Sequence, residues 1–257
     1  MLLRDNLAAD LGRRRFLKTA GISGVGLVGL MMAEGQLVTA AAGPTASDID
    51  MFNFALNLEY LKAQFYSFAT TGKPIATALQ GAKPGATTGG AAVTFDNTSK
   101  TSTLAAELAA DDLAHVQVLQ AAGANVDMPA LALNASVAMG AQTDFLQVAR
   151  AFEDVAVSAY ASMVPLMQTK DDFNLVAQLL ATEAQHAGAV RKLCVEQSVT
   201  SAPLDAADIP PDATHYFSLD VTHAEVAART TAQVLAIVYG GTAPGLFFPL
   251  GFNGNIK

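Results

Sequence analysis

Two acid–histidine pairs constrain this chain more than any other feature. Asp112 and His115 sit in "ELAADDLAHVQVL", residues 107–119, and Glu183 and His186 sit in "ATEAQHAG", residues 181–188. Both segments are otherwise alanine-rich and read as core helix. Polar groups in such a place must be paired, solvated or working. Residues three apart lie about 60° apart on one helix face, so both side chains of a pair can reach one ion. Two further apolar segments carry one solitary acid each, Glu59 in "NLEYL" and Glu153 in "AFEDV". The order along the chain is therefore Glu, Asp-x-x-His, Glu, Glu-x-x-His, one element per helix. A lone Glu-x-x-His arises often by chance. Two pairs alternating with solitary acids make a much stronger signal.

The helices that carry these residues are readable from periodicity. Phe54, Leu58, Leu61, Phe65 and Phe68 recur every three or four residues and predict a first helix over 47–69, with Ser47 and Asp50 as a variant capping box. Residues 70–103 are rich in Gly, Thr, Pro and Ala and predict a long loop, with a short strand at "AAVTF", 91–95. A second helix is expected over 102–122 and an irregular crossing over 124–136. A third helix is expected over 141–168, kinked or stopped by Pro165, and a fourth over 171–198. The short turn between the last two makes them antiparallel neighbours. A Pro- and Asp-bearing segment, 199–221, leads to a fifth helix at about 222–239, where "TTAQ", 230–233, can cap a restart. The Gly/Pro/Phe-rich tail is expected to pack irregularly on the bundle or on a neighbouring subunit. The fold class is all-α: a four-helix bundle over 43–200 with a long helix 1–2 loop, and a C-terminal appendage over 201–257 holding a fifth helix and the tail.

The N-terminus reads as a targeting segment. "RRRFLK", 13–18, precedes a short apolar, glycine-rich run and the small-residue stretch "VTAAAG". Arg13, Arg14, Phe16, Leu17 and Lys18 resemble the twin-arginine export signal, which implies a periplasmic or otherwise exported protein. Residues 1–42 form that signal, with cleavage after Ala40 or Ala42, and no stable membrane span remains after processing. Removing them takes away five basic and three acidic residues, leaving 10 basic and 20 acidic. That balance excludes an extended basic surface for nucleic acid. Cys194 is the only cysteine, so no intrachain disulfide forms and stability must come from the core or a bound metal.

Four carboxylates and two imidazoles offset two divalent ions, and hard oxygen ligands with two nitrogens suit iron or manganese. Residues Glu59, Asp112, His115, Glu153, Glu183 and His186 resemble the di-iron or di-manganese carboxylate set of the ferritin-like superfamily. The chain looks most like its exported ferritin-like domain proteins, which include plant desiccation-related proteins, with manganese catalases more distant. The resemblance covers roughly 47–240. It implies two iron or two manganese ions, with Glu59 and Glu153 as terminal carboxylates, Asp112 and Glu183 bridging or near-bridging, and each histidine on one metal. Asp112 departs from the pattern, which has Glu there; its shorter arm puts bridging in question.

The expected chemistry is oxidoreductase-like, with peroxide, dioxygen or ferrous iron as the small partner. The alternative is a non-catalytic stress protein in which metal staples the bundle. A homo-oligomer is compatible with either. Tyr66 follows Glu59 by seven residues, as Tyr160 follows Glu153, so each tyrosine is expected under its own glutamate, either filling the core or relaying protons or electrons. Asp111 points about 100° away from Asp112 and reads as solvated or as a neighbour of a ligand. Asn57 and Gln64 flank Glu59 and can hydrogen-bond to ligands. Cys194 reads as a buried thiol, and His215 and His223 as surface residues.

Overall fold

The computed structural model describes residues 46–219 and 223–257, together with a two-residue antiparallel pairing of β1 (Met32–Ala33) with β2 (Gln36–Leu37). The segment read as an export signal, 1–42, lies outside the described residues apart from that pairing. Four long helices follow: α1 (Ala46–Thr71), α2 (Thr101–Ala121), α3 (Gln142–Met163) and α4 (Lys170–Glu196). A short α5 (Thr231–Tyr239) lies in the C-terminal appendage. α1 packs chiefly on α2 and α3 chiefly on α4, and contacts of α1 with α3 and of α2 with α4 close the bundle. This is the expected all-α four-helix architecture.

α1 is the central element. Every residue from Phe52 to Tyr66 is buried, polar ones included. A helix covered on all sides is a core helix, not an amphipathic surface one. It begins at Ala46, so Ser47 falls inside its first turn, and the Asp50 carboxylate accepts from Asn255 of the tail at 2.8 Å. That bond ties the tail to the start of α1.

The long loop crosses one end of the bundle. Its strand is not at 91–95. β3 (Thr87–Thr88) instead pairs in parallel with β4 (Leu131–Ala132) from the second crossing, and Thr94 forms only an isolated bridge to Ala141. The loop lies so close to α1 that a Cβ on Gly90 would stand 2.6 Å from the Phe68 ring. α3 ends at Met163 in a 3-10 turn, Val164–Leu166, because Pro165 lacks the donor a continuing helix needs. Thr169 then caps α4 by accepting from the Asp172 amide at 3.1 Å.

The fifth helix is shorter than expected. It starts at Thr231, where Thr230 and Gln233 form a reciprocal capping box, and stops at Gly240, whose φ of 69° suits glycine. A buried ionic network holds the preceding segment. Arg150 grips Asp208 with Nη2 2.6 Å from both carboxylate oxygens, and Arg191 donates to Asp154 at 2.7 Å and to the Ile209 and Tyr216 carbonyls. Arg229 pairs with Asp205 at 2.7 and 2.8 Å. The tail packs on the bundle: Phe252 lies against Phe54, Tyr239 and Phe248, and Asn253 exchanges hydrogen bonds with Asn57. Among the described residues no helix is long and apolar enough to cross a membrane.

Candidate metal centre

One residue pair or one acid from each long helix meets at the bundle axis. Glu59 on α1, Asp112 on α2, Glu153 on α3 and Glu183 on α4 are fully buried, and His115 and His186 keep 7 % exposure. They form two overlapping groups: Glu59, Asp112, His115 and Glu183 in one, and Asp112, Glu153, Glu183 and His186 in the other. Within each group one ligand-type atom per residue lies within 4.8 Å of all the others. Asp112 and Glu183 belong to both groups and therefore sit between the two positions. The imidazole rings lie 5.8 Å apart, nearly parallel, with Nδ1 of each turned toward the acids.

The strongest sign of unmet bonding capacity is a set of orphaned atoms. Glu59 Oε2, both Asp112 oxygens, His115 Nδ1, Glu153 Oε2, Glu183 Oε1 and His186 Nδ1 are buried without a hydrogen-bond partner. Some lie near one another, as His115 Nδ1 does to Glu183 Oε1 at 2.8 Å, but off the line of a hydrogen bond. Leaving so many polar atoms desolvated without a directed hydrogen bond is costly. All seven converge on one place and are the donor types that bind hard divalent ions, so this residue set fits a metal centre.

The remaining valences are held from outside. Asp111, with its side chain 36 % exposed, places Oδ2 3.3 Å from His186 Nε2, which leaves Nδ1 to face the acids. The tyrosines are paired crosswise: Tyr160 donates to Glu59 Oε1 at 2.8 Å, and Tyr66 donates to Glu153 Oε1. Neither serves the glutamate of its own helix. Seven residues along one helix separate two side chains by about 10 Å, too far for a direct bond. α1 and α3 run antiparallel in a register that brings each tyrosine opposite the other helix's acid. Tyr66→Phe and Tyr160→Phe should each lower stability by about 1.5–3 kcal/mol, read by urea denaturation, because each removes a hydrogen bond to a buried charge.

Asn57 and Gln64 do not reach the acids. Asn57 serves the tail, and Gln64 spans Met128 Sδ and the Ile75 amide. Cys194 is buried with its thiol pushed up to about 11, chiefly by burial. His215 and His223 are exposed, and His215 pairs with Asp212.

A residue not singled out by its sequence occupies the middle. Lys62, 1 % exposed, points its ammonium into the carboxylates. It donates to Glu183 Oε2 and lies 3.1 Å from Asp112 Oδ1, 3.4 Å from Glu153 Oε2 and 3.7 Å from Glu59 Oε2. It follows Glu59 by three residues, the same helical step that links each acid–histidine pair.

The electrostatics follow from this crowding. Burial alone opposes the charged form of Lys62, but the four acids outweigh it and raise its pKa well above the ordinary value. Burial also pushes Asp112 well up despite Lys62, while Lys62 and His115 hold Glu59 below its usual range and Glu183 at about 2 against the same burial. Burial works against protonation of the imidazoles too, yet Glu183 and Glu59 raise His115 to about 11, and Glu153 chiefly raises His186 to about 9. Both values exceed the ordinary 6.5. The imidazolium pairings therefore stabilise the metal-free fold fully below that pH, and their contribution is lost as pH rises through about 9 and then about 11. The thermal midpoint of metal-free protein should fall between pH 8 and 10; an unchanged midpoint would contradict these protonation states.

Comparison with known proteins agrees with the geometry. A family model described as the ferritin-like domain matches residues 47–196, the span from the first turn of α1 to the end of α4. No curated protein matches the chain.

Proposed function

The chain belongs to the ferritin-like domain family, and from that premise we propose that its buried acids and histidines hold iron or manganese for redox handling of peroxide, dioxygen or ferrous iron. The observation that carries this reading is the convergence of seven unpartnered polar atoms from six residues on one enclosed point. Such metals supply one-electron chemistry toward oxygen species when bound. The chain's own part is to exclude bulk water, to turn His186 through Asp111, and to hold Glu59 and Glu153 through Tyr160 and Tyr66. The tyrosine hydroxyls also offer a proton or electron relay one bond from the site.

The twin-arginine resemblance supports export, and the family resemblance supports a role in envelope stress protection of the desiccation-related type. The proposed partner is a small oxidant. A second reading, in which metal only staples the bundle, is supported by the near-complete enclosure of the six residues. One preparation separates the two. Protein from its native host is analysed for metal, then assayed for peroxide turnover and ferrous oxidation. Turnover lost on chelation supports the redox reading. Bound metal with no turnover, and a thermal midpoint that falls on chelation, supports the staple. Absence of metal contradicts both.

A further inference from the structure

The two metal positions are not equivalent, because one already contains a cation. The three carboxylate oxygens nearest the Lys62 ammonium belong to Glu183, Asp112 and Glu153, which are the three acids of the group completed by His186. Glu59, the acid peculiar to the other group, is the farthest of the four at 3.7 Å. Glu183 is divided between the two: Oε2 accepts from Lys62, while Oε1 faces His115 and has no hydrogen-bond partner. Both groups keep an atom without a hydrogen-bond partner on each member, Glu59 Oε2, Asp112 Oδ2, His115 Nδ1 and Glu183 Oε1 in the one with His115, so the difference between them is the position of Lys62.

The geometry points to a metal–ammonium centre: one divalent ion held by Glu59, Asp112, His115 and Glu183, with the Lys62 ammonium standing in place of a second ion. A second divalent ion beside the ammonium would place like charges next to one another where water cannot screen them, and such charges repel strongly. Lys62 is almost wholly enclosed by its neighbours. The inference rests on the metal-binding reading above and changes its stoichiometry and its chemistry. Glu59, Asp112, His115 and Glu183 would hold the ion, and Lys62 would hold a proton beside it where a second ion would otherwise sit.

The test is manganese(II) titration followed by native mass spectrometry and electron paramagnetic resonance. Wild-type protein is expected to bind one ion per chain and to show an uncoupled six-line spectrum. His115→Gln should lose that ion, and His186→Gln should keep it. Lys62→Met, purified in manganese, should bind two ions with an exchange-coupled spectrum. Two coupled ions in wild type, equal loss in the two histidine variants, or a single ion in Lys62→Met overturns the inference and leaves metal binding standing. No ion in wild type overturns the metal-binding reading itself.

Discussion

Lys62→Met is expected to destabilise the metal-free protein by about 3–5 kcal/mol, the usual result of stripping one partner from a buried ionic cluster. The loss is a large fraction of the roughly 5–15 kcal/mol that holds a domain folded. The ammonium lies within 3.7 Å of four acids that are themselves fully buried. Methionine keeps the apolar stem and lacks only the ammonium, so the packing along α1 is preserved and the effect is electrostatic. Manganese(II) should restore the variant, because an ion that binds only the folded state stabilises it by an amount that grows with the logarithm of its concentration over its dissociation constant. Urea denaturation with a chelator and then with manganese measures both effects. A metal-free variant as stable as wild type would show that the acids are neutralised by some other means.

Asp208→Ala should cost a comparable amount, about 3–5 kcal/mol, at the partner of Arg150, one helical turn from Glu153. Arg150 is fully buried and its Nη2 is gripped by both oxygens of Asp208, which also accepts from the Leu204 amide at 2.8 Å. Removing that carboxylate leaves a guanidinium with only Asp154 to face and cuts one tie of the 199–229 segment to α3, leaving those of Thr200 to Gln147 and of Arg229 to Ser158. The variant should be cut in that segment by a protease that spares wild type, while manganese binding stays unchanged. Loss of metal together with loss of the segment would mean that the appendage supports the site more directly than the Arg–Asp contacts indicate.

These two positions also mark what a single sequence conceals. The four long helices were legible because each repeats apolar residues at a helical period, four of the six candidate ligands because i,i+3 spacing is local, and Glu59 and Glu153 because each is a solitary acid in an apolar segment. Lys62 obeys the same spacing from Glu59, yet a search restricted to metal-binding residue types passes over a cation. The crossed tyrosines were not legible, since their pairing depends on the register between α1 and α3 and not on the seven-residue step within either. Arg150 and Arg191 find Asp208 and Asp154 at separations of 58 and 37 residues, which no local pattern encodes. Asn57 and Gln64 stand near Glu59 in sequence but turn outward, to the tail and to the loop around Ile75. The start of α5 was visible in the capping pair Thr230 and Gln233, and the described residues before it, 223–230, form no helix.

The central claim is that the six buried side chains form a metal site. Anomalous diffraction from crystals grown with manganese(II) tests it directly. The account predicts a manganese peak at bonding distance from Glu59, Asp112, His115 and Glu183, with the Lys62 ammonium still seated against Glu153. Crystals with no anomalous density among these side chains, and with the acids paired only to Lys62 and the histidines, would contradict it.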